Sequence, residues 1–209
     1  MPDKSKLQAA YASHNNREVE RQYDQWAGTY DVDIQREYGW PAPGLMARMC
    51  AKYVPKNGRI LDAGAGTGLT GVALFEMGYG HIVGIDLSRE MLEEARKKKV
   101  YRELHRMAMG ETLDFPDDSF DAVVSVGALT IGHAPASSLD ELVRITRPEG
   151  HVIFTLRPDF YQRGGFKEKH AALESQGKWR PVEVGRKFQA IPESEPDVYF
   201  RIWVYRIGP

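Results

Sequence analysis

The middle of the chain alternates between short apolar runs and longer mixed stretches. Runs at residues 59–63, 81–86, 104–109, 120–126 and 151–156 have the length and bounding signals of buried strands. The segments between them, 67–77, 88–99 and 136–146, predict helices. Strands separated by helices specify a largely parallel sheet covered on both faces, an α/β architecture. In the second of these helices Glu93 and Glu94 stand four residues before Lys97 and Lys98, which predicts ion pairs along a solvated face.

The flanks differ from this pattern. Val19, Tyr23, Trp26 and Tyr30 recur at steps of 4, 3 and 4, one face of a helix that starts near Asn15, while residues 1–14 read as a frayed end. Gly39-Trp40-Pro41-Ala42-Pro43-Gly44 breaks the chain, and Leu45–Tyr53 reads as a second helix. Beyond the last apolar run, Lys167–Gln176 predicts a further helix, with Lys167-Glu168-Lys169-His170 as its solvated face. Residues 183–191 and 198–207 then alternate with a period of two, and the polar segment Pro192–Asp197 joins them. The 209 residues read as a single domain, 1–55 forming a helical lid over a core of 56–209.

The sharpest motif lies just after the first apolar run. In Leu61-Asp62-Ala63-Gly64-Ala65-Gly66-Thr67-Gly68 glycine stands at every second position, between a strand and a helix. Without Cβ atoms such a turn is tight, and a ligand can lie against bare backbone amides at a helix N-terminus. A dinucleotide fingerprint, G-x-G-x-x-G, requires a third glycine where Leu69 stands. His81-Ile82-Val83-Gly84-Ile85-Asp86 ends in a carboxylate 18 residues past Gly68, placed to accept both hydroxyls of a ribose. Glycine turn and acid together point to a nucleoside cofactor.

The formal net charge is −1, so no overall basic excess points to a nucleic acid partner. Cys50 is the single cysteine, which rules out a disulfide framework, an Fe–S cluster and a cysteine-built zinc site. The histidines show no metal-ligand spacing, and no metal is expected. With no apolar leader and no run of about 18 apolar residues, a cytoplasmic protein without membrane contact is the expectation, nuclear access remaining open.

These motifs resemble the class I S-adenosylmethionine-dependent methyltransferases over roughly residues 23–156. The resemblance rests on Leu61–Gly68, on Gly84-Ile85-Asp86-Leu87-Ser88 with Met91, and on Phe115-Pro116-Asp117-Asp118-Ser119-Phe120-Asp121. Val126–His133 is similar in particular to a methyltransferase-like branch of that family. The resemblance implies a Rossmann-like fold with a mostly parallel seven-stranded sheet, a C-terminal antiparallel hairpin and an N-terminal helical lid. It also implies S-adenosyl-L-methionine as cofactor. Gly64, Ala65 and Gly66 would press on its methionine and ribose parts, Asp62 would steer the ammonium, and Asp86 would take the ribose diol. Leu87 and Met91 would sandwich the adenine, although one methionine alone reads equally as core filler. Met109 stands where the family usually carries an acid, which leaves backbone at Met109 and Gly110, or the carboxylate of Glu111, to read the adenine edge. Val126 and Gly127 would lie under the sulfonium, and Tyr30, in the pattern Tyr23-Asp24-x-Trp26-Ala27-x-x-Tyr30-Asp31, would reach the methionyl carboxylate or pack the lid.

Methyl transfer from a sulfonium needs alignment more than acid–base chemistry, and a base only if the acceptor is protonated at neutral pH. His133, on the rim after the fourth strand, is the candidate catalytic base; the competing role is to satisfy backbone groups or face water. Trp40, Arg157 and Tyr161 are candidates for the acceptor pocket. Asp117 and Asp118 read as a turn. The acceptor, a small molecule or a protein side chain, is not specified by the sequence, nor is the oligomeric state. A nicotinamide-dependent oxidoreductase and a cofactor-binding, non-catalytic partner subunit stand as alternatives.

Overall fold

The computed structural model describes residues 6, 8–9, 12–13, 15–34, 39–130, 132–192 and 195–209. The frayed end expected over 1–14 falls largely outside them, as do Ile131 of the 126–133 stretch and Glu193 and Ser194 of the tail linker.

Helix α1 (Asn16–Val32) begins at Asn15, whose side chain accepts from the Glu18 N–H at 3.1 Å and donates to the Glu18 carboxylate at 2.9 Å. Asn15 thus caps the helix with its side-chain oxygen while its side-chain amide clasps the Glu18 carboxylate. Helix α2 (Ala42–Tyr53) starts behind Pro41 and presents Met46, Ala47 and Cys50 to the sheet. There follow β1 (Ile60–Ala63), α3 (Leu69–Glu76), β2 (Ile82–Asp86), α4 (Arg89–Lys97), β3 (Glu103–Arg106), β4 (Phe120–Ser125), α5 (Ser138–Arg144) and β5 (Thr146–Leu156). The tail adds α6 (Pro158–Arg163), α7 (Phe166–Ser175), β6 (Trp179–Val184), β7 (Phe188–Ile191) and β8 (Glu195–Ile207).

The sheet runs β3-β2-β1-β4-β5-β8-β6, with β7 also paired to β8; contacts among β1 to β5 are parallel and those of β8 antiparallel. Every residue of β1 is buried, because helices cover both faces. Leu61, Ala63, Val123, Val152 and Phe154 pack towards α5 and α7, while Ile60, Val124 and Ile153 pack towards α2 and α3. Each of these Leu, Val, Ile and Phe side chains contributes about 1.5–3 kcal/mol of burial, Ala63 less. Strand order reverses between β1 and β4, and there the connections leave on opposite faces and open a crevice at the strand C-termini.

The expected architecture is present, with eight strands rather than seven. The single strand expected at 183–191 is two: Gly185 breaks it, donating to Ile202 O at 2.8 Å, and the thirteen residues of β8 pair with β6 near their end and β7 near their start. β3 stops at Arg106 rather than 109, since Arg106 pairs with Asp86, the last residue of β2, and nothing remains to pair with beyond it. On α4 the ion pairs are Glu93–Arg96 and Glu94–Lys97; Lys98, at the helix C-cap, turns inward to Thr67 O at 2.6 Å and Asp31 at 2.7 Å. His170 does not belong to a solvated face. It lies four residues after Phe166 and three before Leu173 on the same stripe, and all three are 1% exposed or less. Its Nδ1 hydrogen-bonds the Tyr205 hydroxyl at 2.7 Å among Phe154, Trp179 and Trp203, and burial pulls the imidazole down to about 4.

Candidate active site

A cleft opens where β1, β2 and β4 end, with α1 above it and the β7–β8 hairpin at its side. The cleft is open on one side, and its empty space, open solvent included, is about 1100 Å³. Tyr30, Gly64, Gly66, Asp86, Leu87, Met91, Met109, Val126 and His133 all line it, as do Trp40 and Gly127.

Asp86 is fixed from two sides. One carboxylate oxygen accepts from the Gly66 N–H at 2.8 Å and the other from the Ser88 N–H at 2.9 Å. Burial raises the affinity of this carboxyl for its proton, and the backbone hydrogen bonds, with those from Ser88 and Gly66 foremost, work against burial. Ser88 also caps α4, accepting from the Met91 N–H at 3.1 Å, and so seats Leu87 and Met91 beside the acid.

The glycine turn differs from the sequence expectation in one respect. Its amides are not bare. Gly64 and Ala65 both donate to Ile85 O at 2.9 Å, Gly66 donates to Asp86, and Gly68 donates to Ala65 O at 2.9 Å. The β1–β2 ladder, Asp86 and the turn itself take up the Gly64, Ala65, Gly66 and Gly68 donors, so at these positions the turn presents Cα surface. Gly64 has φ +82°, and a Cβ there would lie 2.6 Å from the Cβ of Ala128. Gly66 has φ +54°, and a Cβ there would meet nothing within 4 Å, projecting into open space. A carboxylate beside such a turn suits a ligand with hydroxyl donors and positive charge.

Polar contacts hold the lid down. Ser88 Oγ donates to Asp24 at 2.6 Å, Thr67 Oγ1 to Asp31 at 2.5 Å, Lys98 pairs with Asp31, and Arg106 pairs with Glu20. Over the cleft the Tyr23 hydroxyl and His133 Nε2 are 2.8 Å apart, and Tyr30 packs edge-on against Trp26 at 4.9 Å between centroids.

Several expected residues lie elsewhere. Asp62 is wholly buried behind the turn, with the Tyr101 hydroxyl donating to it at 2.7 Å; Ala65 is nearly buried and does not line the cleft. Gly110 (φ +98°) packs against Pro135, and Glu111 accepts from Asn16 Nδ2 at 3.2 Å, so neither lines the cleft. Arg157 pairs with Asp159 at 2.8 Å and Tyr161 stacks on Trp203 at 4.7 Å, both away from it. Conversely, Val19, Ile34, Met107, Ile191 and Phe200 line the cleft without having been singled out. Val19 carried a signal, its place on the lid stripe; Ile191 and Phe200 arrive through tail pairing that no local pattern encodes. Among the described residues there is no cluster of three metal-ligating side chains, and no helix long and apolar enough to cross a membrane.

A family model described as a methyltransferase domain matches residues 61–154, the segment that builds β1 to β5 and the acid-bearing side of the cleft. Human methyltransferase-like protein 27 is 35% identical over 165 residues, covering 75% of this chain and 66% of that protein. The chain belongs to the class I methyltransferases. The fold of this family implies S-adenosylmethionine binding. Among solved structures, the fold resembles an S-adenosylmethionine-dependent methyltransferase, described as a possible histamine N-methyltransferase, from Thermotoga maritima (TM-score 0.62, 18% identity, 88% of this chain and 97% of that one). It also resembles the [4+2]-cyclase SpnF (TM-score 0.72, 15% identity, 94% of this chain and 98% of that one). These likenesses concern the fold alone, and a cyclase among them shows that function has to be argued from the site.

Proposed function

We propose that this chain is an S-adenosylmethionine-dependent methyltransferase whose acceptor is a small molecule with an apolar body. The observation that carries the reading is the pairing of a glycine turn open to the cleft at Gly66 with an acid, Asp86, tied to that turn by the Gly66 N–H. When bound, S-adenosylmethionine supplies a methyl group activated on a sulfonium. Asp86 would hold the ribose hydroxyls, Leu87 and Met91 the adenine faces, and Gly64, Gly66, Val126 and Gly127 the floor beneath the reacting end. Tyr30 would close over the methionyl end from the lid. Leu69, standing where a dinucleotide turn carries its third glycine, argues against the nicotinamide alternative.

The remaining wall, formed by Val19, Tyr23, Ile34, Trp40, Ile191 and Phe200, is apolar and aromatic. Asp86 is the one formally charged residue among the described residues that line the cleft. Such a compartment desolvates an apolar or aromatic acceptor and excludes water, and its roof of α1 favours a small molecule over a protein side chain. His133 stands at the boundary between the two halves. With Tyr23 as partner it can accept a proton from a hydroxyl or similar acceptor and pass it towards the rim. The test is transfer of labelled methyl from S-adenosylmethionine to a fractionated panel of metabolites by the purified chain. Label in neutral, apolar fractions supports the reading. Label only when a second protein is added would instead make the chain a non-catalytic partner subunit.

A further inference from the structure

The β4–β5 register ends where Ser125 stands opposite Phe154. Just beyond it a side chain takes over: Thr155 Oγ1, wholly buried on β5, accepts from the Gly127 N–H at 2.8 Å. Thr155 lies outside the cleft, whereas Gly127 lines it. Gly127 turns with φ +75°, a conformation glycine adopts freely, and a Cβ there would lie 3.4 Å from the Trp40 ring. The next residue, Ala128, fits the space that Gly64 leaves, since a Cβ at Gly64 would lie 2.6 Å from the Ala128 Cβ. The Ala128 carbonyl accepts from the Thr130 and Ala134 N–H groups, each at 3.1 Å, and the His133 N–H donates to Thr130 O at 3.2 Å. Contacts therefore run without a gap from a hydroxyl on β5 to the loop that carries His133 to Tyr23. On shape alone a valine would serve β5 as well as Thr155; what the hydroxyl adds is an acceptor for Gly127.

We propose that Thr155 is a positioning residue for methyl transfer: its hydroxyl oxygen fixes the turn after β4, and through that turn the floor beneath the cofactor's reacting end and the placement of His133. This rests on the methyltransferase reading, which assigns both the floor and the base. Removal of the oxygen leaves the Gly127 N–H without its acceptor, and a donor in that position turns towards water. Glycine offers little resistance to such a rotation. Ala128 then withdraws from Gly64, and the carbonyl that gathers Thr130 and Ala134 moves with it, carrying His133 off Tyr23. A reaction that depends on alignment is sensitive to such a shift even though Thr155 itself touches neither reactant.

The test compares the full chain as parent, Thr155→Val and Thr155→Ser. Amide exchange at Gly127 and the contact between the His133 and Tyr23 rings are followed by NMR, affinity for S-adenosylhomocysteine by calorimetry, and melting temperatures alongside. The expected result for Thr155→Val is an unprotected Gly127 amide, a weakened ring contact and roughly tenfold weaker binding. Thr155→Ser, which restores the oxygen, recovers all three, with affinity within about twofold of the parent. A Thr155→Val variant that melts lower but keeps the parent's affinity and ring contact overturns the inference, confines Thr155 to the sheet and leaves the methyltransferase reading standing. A parent that binds no S-adenosylhomocysteine overturns both. If Thr155→Val does not fold, the parent decides the matter: a protected Gly127 amide that exchanges more slowly still with S-adenosylhomocysteine bound supports the inference, and one that exchanges at the unprotected rate overturns it.

Discussion

Gly66→Ala separates ligand contact from folding. Gly66 has φ +54°, so an alanine there adopts the left-handed region at a cost of about 1–2 kcal/mol. No steric term is added, because its Cβ would meet nothing within 4 Å. For a chain of 209 residues each kcal/mol lowers Tm by roughly 2–4 °C, so a modest fall is expected. Binding is a different matter. The methyl group would enter the cleft beside the bond from Gly66 to Asp86, where the ligand's ribose end is assigned. Overpacking of this size costs about 1–3 kcal/mol, which is roughly a five- to 150-fold loss of affinity. Gly64→Ala is the matched control: a Cβ 2.6 Å from that of Ala128 forces the turn to shift and lowers Tm more steeply. Melting curves and calorimetry with S-adenosylhomocysteine measure both quantities. If Gly66→Ala binds within twofold of the parent while melting slightly lower, the ligand does not lie on this turn and the reasoning fails.

Asp86→Asn retains one acceptor for two backbone N–H donors and loses the charge, so cofactor affinity falls by roughly 1.5–3 kcal/mol in calorimetry. His133→Ala lowers the single-turnover rate of methyl transfer about 10²–10⁴-fold with cofactor Kd unchanged if the acceptor needs a base; an unchanged rate assigns His133 to holding Tyr23 and the lid. His170 gives a pH signature. Its folded value near 4 lies below the ordinary 6.5, so the unfolded chain takes up the proton first as pH falls. Its contribution to stability is then full above about 6.5 and declines by about 3 kcal/mol on the way to pH 4; denaturant titrations of the parent and of His170→Asn differ by a margin that shrinks across that window, and a difference that stays constant from pH 6.5 to 4 contradicts the assignment.

The parts of the site that were legible in the sequence are local. A strand, a glycine turn, a second strand and its terminal acid lie within residues 60–91, and their spacing alone places Gly64, Gly66, Asp86, Leu87 and Met91 around one cleft. What stayed hidden depends on long-range packing. Ile191 and Phe200 reach the cleft because β8 pairs with β5, β6 and β7 at once. His170 looked solvated because its sequence neighbours are charged, whereas Phe166 and Leu173 on its stripe decide its burial. The glycine pattern carried two meanings that a one-dimensional reading merges: Gly64 and Gly66 shape the cleft, whereas Gly68, Gly71 and Gly84 make room for Tyr101. Asp62 shows the same ambiguity, since a charge at the end of β1 reads as a ligand contact until its burial beneath the turn is seen.

The central claim is that this cleft selects a cationic nucleoside over a pyrophosphate-bearing one. Parallel calorimetric titration of the purified chain with S-adenosylmethionine and with NADH tests it most directly. Saturable one-to-one binding of S-adenosylmethionine, with no heat from NADH, is the predicted result; heat from NADH, or silence with S-adenosylmethionine, contradicts it.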